Sequence, residues 1–144
     1  FIFYYAVLSE VSPPTALSPF VAAAITGGNP YKTTLQAWKY TLPAFVVPFV
    51  FVLDPAGVGL LLKAPPSGSW VEVAWIAITA CIGIGALACG SQGWLVRRCG
   101  PIERAILVVC GLALVYPAPA TDIVGIVGVV AVYFWQKLRR VAPA

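Results

Sequence analysis

The sequence contains no histidine and no methionine, and it has few charged residues. Nine of its 144 residues are lysine or arginine and five are aspartate or glutamate, so charged residues make up only 10% of the chain. A soluble domain typically carries about 25% charged residues. Hydrophobic residues make up 60% of the chain, and several apolar runs approach the roughly 20 residues that cross a bilayer. The sequence therefore predicts an integral membrane protein.

The missing histidines and the cysteine spacing argue against the common metal and catalytic sites. Cys81, Cys89, Cys99 and Cys110 form no CxxC pair, so we expect small apolar packing residues rather than a zinc site. An enzyme would need a nucleophile with a base, or a metal set, and neither is visible. We therefore expect no enzyme and no cofactor. Nucleic acid is not an expected partner either, because the basic residues flank apolar segments rather than forming one patch.

The chain begins at Phe1 without any methionine, so we expect an internal or C-terminal piece of a longer protein. Phe1–Leu8 lacks the basic flank and cleavage site of a signal peptide. The basic tail Lys137–Ala144 is typical of a cytoplasmic end.

Prolines and glycines divide the apolar residues into about five helical segments, which predicts an all-α membrane fold. The first segment is predicted to break at Ser12–Pro14, and a polar interfacial helix, Tyr31–Tyr40, follows it. The other segments are Thr41–Leu53, Trp70–Gly90, Ala105–Ala120 and Thr121–Gln136. Pro48 is expected to kink the second segment and free the carbonyl of Ala44. The last two segments are short and could form two thin spans or one re-entrant hairpin.

A linker rich in proline, glycine and serine, Lys63–Ser69, predicts a boundary between residues 1–63 and 64–144. After this linker, small residues recur every fourth position. They are Ala77, Cys81, Gly85, Cys89 and Gly93. This spacing places a stripe of small residues on one helix face, where a second helix is predicted to pack closely.

Lysine and arginine predict the orientation. If the segments alternate across the membrane, one side holds eight basic residues: Lys32, Lys39, Arg97, Arg98, Arg104, Lys137, Arg139 and Arg140. Lys63 alone falls on the other side, together with Asp54, Glu72 and Asp122. The side with eight basic residues, which includes the C-terminus, is predicted to be cytoplasmic.

The stretch from Ser9 to Pro19 concentrates the polar chemistry of the first segment. Pro13 and Pro14 cannot continue a regular helix, so backbone carbonyls before them should lack helical partners. In a bilayer such groups need protein, water or an ion. The candidate substrate or ion site consists of Ser9, Glu10, Ser12, Pro13, Pro14 and Thr15. Hydroxyl oxygens suit hard cations, so Ser12 and Thr15 are the candidate sodium ligands. Alternatively, the stretch is a proline kink whose hydroxyls bond back to their own helix.

Glu10 is an acid inside an apolar segment, and two interpretations stay open. It could contribute to a cation or proton site, because ionisable groups within membranes usually serve function. It could equally be a protonated or salt-bridged side chain that fixes helix packing.

The residues around this break resemble a known family. Phe3-Tyr4-Tyr5-Ala6-Val7-Leu8-Ser9-Glu10-Val11-Ser12-Pro13-Pro14-Thr15-Ala16-Leu17 and Ala22–Pro30 resemble the large permease of tripartite ATP-independent periplasmic (TRAP) transporters, in particular the fused permeases of the TAXI branch. Lys39–Phe49 is similar to the following helix of that family. The likeness is clear over Phe1–Pro55 and weaker at Gly68–Trp70 and Glu103–Asp122.

This resemblance implies the C-terminal part of an ion-driven importer in the bacterial inner membrane. A periplasmic solute-binding protein would deliver a carboxylate-type substrate, and an elevator-like motion coupled to sodium would move it. Ser12, Pro13, Pro14 and Thr15 would then be the family's non-helical break near the ion and substrate sites. Many relatives carry threonine in place of Ser12 and a small residue in place of Glu10, so sodium and proton coupling both stay open. The alternative function is a structural or assembly subunit of the membrane without its own transport site.

Overall fold

The computed structural model describes residues 1–53, 55–61, 69–116 and 118–141. These residues form seven α-helices and contain no β-strand, which confirms the predicted all-α fold. The helices are α1 (Ile2–Leu8), α2 (Leu17–Thr26), α3 (Pro30–Thr41), α4 (Val47–Val52), α5 (Trp70–Gln92), α6 (Pro101–Val115) and α7 (Pro119–Val141). Three 3₁₀ segments, Ser9–Val11, Leu42–Val46 and Pro55–Leu61, complete the described secondary structure.

Within the described residues, three helical stretches are long and apolar enough to cross a membrane: Pro30–Val52, Trp70–Gln92 and Pro119–Leu138. The chain is therefore a membrane protein, as its composition predicts. The first stretch includes α3, which covers the predicted polar helix at residues 31–40. Helix α3 continues through the 3₁₀ segment Leu42–Val46 into α4, and we call this whole stretch the α3–α4 span.

The α3–α4 span accommodates Pro43 and Pro48 in its interior without leaving the predicted carbonyl of Ala44 unpaired. Asn29 caps its start, because the side-chain Oδ1 accepts from the N–H of Lys32 at 3.1 Å. Near Pro48, the tighter 3₁₀ turn lets the N–H of Val47 donate to the carbonyl of Ala44. The expected free carbonyl at Ala44 was therefore wrong, because a change in helix type satisfies it locally.

Helices α5 and α6 pack closely through glycine. A Cβ atom added at Gly83 would lie 2.8 Å from Cβ of Leu114 and 3.0 Å from the carbonyl oxygen of Gly111. Real Cβ atoms do not approach other atoms so closely, so only glycine fits there without a shift. A Cβ atom added at Gly90 would come similarly close to the side chain of Val108.

The predicted small-residue stripe lies on a different face of α5. Cys81 and Gly85 are exposed, and a Cβ at Gly85 would meet no atom within 4 Å. The buried residues of α5 are Ile76, Thr79, Ala80, Gly83, Ala86, Leu87 and Gly90. Within the described chain, the packing face is therefore offset from the predicted stripe.

Helices α5 and α7 point in the same direction, and α6 runs back between them. Near the start of both helices, the indole Nε1–H of Trp75 donates to Oδ2 of Asp122 at 3.0 Å. At the other end, Oε1 of Gln136 accepts from the N–H of Val96 at 3.2 Å. The fifth predicted segment is longer than expected, since α7 covers 23 residues. The last two segments are thus two antiparallel helices beside α5, and of the two only α7 is a candidate span among the described residues.

The N-terminal helices pack against this bundle. Val50 of α4 joins a buried cluster with Ile76, Ala80, Leu87 and Val115. At the opposite end of the bundle, Nε2 of Gln92 donates to the carbonyl of Lys39 at 3.2 Å. The α3–α4 span is therefore antiparallel to α5. Most of the linker that defines the predicted domain boundary, including Lys63, lies outside the described residues.

Candidate functional site

The broken first segment lies along the whole α3–α4 span. The ring of Phe1 packs on Phe49 with centroids 5.5 Å apart, and the hydroxyl of Tyr5 donates to the carbonyl of Phe45 at 2.5 Å. Beyond the break, Phe20 of α2 packs on Tyr31 at the start of α3, with ring centroids 5.8 Å apart. The break between Tyr5 and Phe20 therefore lies beside the middle of the α3–α4 span, near Lys39, whose carbonyl accepts from Gln92 at the end of α5.

The backbone leaves the helical conformation where the prolines predict. Helix α1 ends at Leu8, a 3₁₀ turn covers Ser9–Val11, and Ser12 is extended with φ −111° and ψ 143°. The Pro13–Pro14 peptide bond is cis. Ala16 is buried in the left-handed region with φ 38° and ψ 40°, a conformation that costs a residue with a Cβ roughly 1–2 kcal/mol. Only then does α2 begin.

The carbonyl of Glu10 cannot accept a helical hydrogen bond because of the two residues that would have to donate it. The residues three and four positions later are Pro13 and Pro14, and neither carries an N–H. No hydrogen bond to this carbonyl occurs within the described part of the chain. The break therefore leaves the carbonyls of Glu10 and Val11 without hydrogen-bond partners in the described chain, as the sequence predicts.

Two of the three central hydroxyls bond back to the local backbone. Oγ1 of Thr15 donates to the carbonyl of Ser9 at 2.6 Å and approaches that of Ser12 at 3.3 Å. Oγ of Ser9 donates to the carbonyl of Ala6 at 2.7 Å. Ser12 is different, since its half-buried hydroxyl has no partner among the described residues. The structure thus combines a locally bonded kink with one available hydroxyl.

The candidate site faces outward from this chain. Glu10, Pro13, Pro14 and Thr15 are exposed, while Ser9 and Ser12 are half-buried. Glu10 forms no ion pair with any described residue. Its carboxylate, the hydroxyl of Ser12 and the carbonyl of Glu10 belong to the same short stretch. They are oxygen ligands of the kind that hard cations take, but they form only one wall of a site.

A second polar cluster was not predicted from the sequence. Gln136 of α7 is completely buried, and its Oε1 accepts from the N–H groups of Val96 and Arg97 at 3.2 and 3.3 Å. Its Nε2 donates to Oε2 of Glu103 at 2.8 Å and to Sγ of Cys99 at 3.3 Å. All four hydrogen-bonding positions of the amide are satisfied. This network ties α7 to the α5–α6 connection.

Glu103 lies in the first turn of α6, at the end of the bundle and outside the candidate spans. Burial acts to raise the pKa of Glu103, but hydrogen bonds from Gly100, Gln136 and Arg97 and the charge of Arg97 hold that pKa below its ordinary value. The ion pair joins Oε1 of Glu103 to Nη2 of Arg97 at 3.1 Å. Glu103 is therefore an ionised anchor of this connection.

Arg104 and Asp122 also have structural partners that the charge pattern does not reveal. The guanidinium of Arg104 donates to the carbonyls of Gly90 and Ser91 at 2.9 and 3.0 Å, where α5 ends. Asp122 is 4% exposed, and its Oδ1 has no partner among the described residues. An acid in the first turn of α7 is favoured by the helix dipole, which is the only sequence signal for this position.

Comparisons with family models, with curated proteins and with solved structures gave no match to this chain. No group of three or more histidine, cysteine, aspartate or glutamate side chains that could hold a metal ion occurs within the described ranges.

Proposed function

We propose that this chain is part of a secondary-transporter permease of the TRAP type, in the bacterial inner membrane, that imports carboxylate-type solutes with a sodium gradient. A periplasmic solute-binding protein would deliver the substrate, and the remainder of the permease would supply the opposing wall of the site. The C-terminus would lie in the cytoplasm.

One observation carries this proposal. A non-helical break interrupts an apolar segment that lies along a helical stretch long and apolar enough to cross a membrane. Within a bilayer, irregular backbone occurs only where protein buries it or a wet cavity surrounds it. Discontinuous helices near the midplane are where secondary transporters place substrate and coupling ions. The resemblance of residues 1–55 to TRAP permeases points the same way.

The outward direction of the candidate residues is consistent with one half of a site. Glu10 and the hydroxyl of Ser12 have no partners in the described chain, although each is costly to leave unpaired inside a membrane. A second wall from elsewhere in the protein, together with an ion, would satisfy them.

A structural membrane subunit is the second candidate. It is favoured by the hydroxyl of Thr15, which closes the break with its own backbone, as expected for a passive kink. The two candidates differ in one respect: only the transporter requires the break to bind an ion.

The test uses the full-length protein in proteoliposomes, with its solute-binding protein. We expect uptake of radiolabelled carboxylates, with succinate and glutamate as probes, to require an inward sodium gradient. Pro13→Ala combined with Pro14→Ala should let the helix close and abolish uptake while the protein still inserts. Pro101→Ala is the matched control, because this proline occupies the first turn of α6, where a missing N–H costs little.

Sodium binding can be measured without knowing the substrate. The melting temperature of the purified protein should rise with sodium chloride but not with equal concentrations of choline chloride, and the double proline variant should lose this difference. If the double variant keeps the same sodium dependence in uptake and in stability, the break is a passive kink and the structural candidate stands.

A further inference from the structure

A cleft opens between the start of α6 and the end of α7. Its volume is about 610 Å³. Its polar end is formed by Arg97, Arg98 and the first turn of α6, while Ile102, Ile106, Ala131 and Trp135 contribute apolar walls. We call this space the α6–α7 cleft. It lies far along the chain from the proposed transport site.

The polar end carries positive charge that the neighbouring acid does not cancel. Arg98 is exposed and has no ion pair or hydrogen bond with any described residue. Glu103 already accepts from Arg97, Gly100 and Gln136, and its side chain is only 12% exposed. The N-terminus of α6 adds partial positive charge to the same end. The cleft therefore offers an anion an unpaired guanidinium.

The depth of the cleft matches the polar–apolar boundary of a bilayer. Two candidate spans, Trp70–Gln92 and Pro119–Leu138, end beside it. The loop with Arg97 and Arg98 follows immediately after the first of these ends. Ile102 and Trp135 are 74% and 53% exposed, so large apolar surfaces remain uncovered next to the charged groups. A soluble anion would leave those surfaces in water, whereas an acyl chain would cover them.

From this combination we propose that the α6–α7 cleft binds an anionic phospholipid. The phosphate group lies against Arg98 and the accessible part of the Arg97 guanidinium, and an acyl chain follows the apolar wall formed by Ile102, Ile106 and Ala131. Basic pockets between membrane helices are suited to such headgroups. The bound lipid would cover the junction that Gln136 holds together.

The test is photo-crosslinking at the cleft in the full-length protein. The protein carries Ile102→benzoylphenylalanine and is reconstituted in equal amounts of phosphatidylglycerol and phosphatidylcholine with identical acyl chains. We expect crosslinks to phosphatidylglycerol to predominate. Arg98→Gln should lower this preference about fivefold, since one basic residue near an anionic surface contributes about 1 kcal/mol. Arg98→Lys should retain most of it.

Two controls make the result specific. Val71→benzoylphenylalanine places the crosslinker at the opposite end of α5, where the preference should be absent, and Lys32→Gln removes an exposed charge outside the cleft without effect. Equal crosslinking of both lipids at position 102, or an unchanged preference in Arg98→Gln, would overturn the proposal. Displacement of the lipid by water-soluble glycerol phosphate at comparable concentration would also overturn the proposal, because it would show that the apolar wall does not contribute to binding.

Discussion

The hydroxyls of Ser12 and Thr15 have the same chemistry but different surroundings. The Thr15 hydroxyl is bonded to backbone carbonyls on the other side of the break, whereas the Ser12 hydroxyl has no partner in the described chain. A net intramolecular hydrogen bond contributes about 1 kcal/mol to stability. Substituting the two residues separately can therefore distinguish a contribution to stability from a contribution to ion binding.

The first prediction compares Ser12→Ala with Thr15→Val. Thr15→Val should lower the free energy of unfolding by about 1 kcal/mol, because it removes the bond that closes the break. Ser12→Ala should change stability by less than about 0.5 kcal/mol, but it should raise the sodium concentration for half-maximal uptake about fivefold if its oxygen is an ion ligand. Initial uptake rates and thermal melts measure the two effects. An unaltered sodium dependence in Ser12→Ala would remove this residue from the proposed site.

The break could be predicted from individual residues because its cause is the covalent structure of proline, which has no backbone N–H. Two adjacent prolines remove the donors for the carbonyl of Glu10 whatever the rest of the chain does. The roles of Gln136 and Arg104 could not be predicted in the same way. Their partners lie 13 to 40 residues away in sequence, and only the packing of α5, α6 and α7 brings them together.

At the scale of elements, close packing of α5 on α6 depends on which small residues meet. Small side chains occur on two faces of α5, and the four-residue period selects the face with Cys81 and Gly85. The structure instead buries the face with Gly83 and Gly90. The sequence indicated that a helix would pack closely but not on which face, because this depends on the surface that Gly111 and Leu114 present from α6.

The next prediction compares Gly83→Ala with Gly85→Ala in the same helix. The added methyl group at Gly83 would overlap Leu114 and the backbone of Gly111, so we expect a loss of about 1–3 kcal/mol in stability. At Gly85 the methyl group meets open space, and alanine should be neutral or stabilising by up to about 1 kcal/mol. Thermal melts of the detergent-purified protein measure both. A larger loss at Gly85 would mean that another part of the protein packs on that face.

At the scale of the whole molecule, the contacts show at which end of the helix bundle several basic residues lie. The hydrogen bond from Gln92 to Lys39 places α3 beside the end of α5, and the Gln136 network places the end of α7 there as well. Lys39, Arg97, Arg98, Arg104 and Lys137 therefore lie toward one end of the bundle. The Trp75–Asp122 hydrogen bond marks the other end. The separation of charge inferred from alternating segments thus agrees with the described packing.

The last prediction assigns these ends to the two sides of the membrane. Positively charged loops are retained in the cytoplasm, so positions 98 and 139 should be cytoplasmic and position 63 periplasmic. Single cysteines are introduced as Arg98→Cys, Arg139→Cys and Lys63→Cys in a protein whose other cysteines are replaced by alanine. In intact cells, a membrane-impermeant maleimide should label position 63 only, and positions 98 and 139 should react after permeabilisation. Labelling of position 98 from outside would reverse the orientation. It would also place the α6–α7 cleft at the outer leaflet, with its lipid drawn from that side.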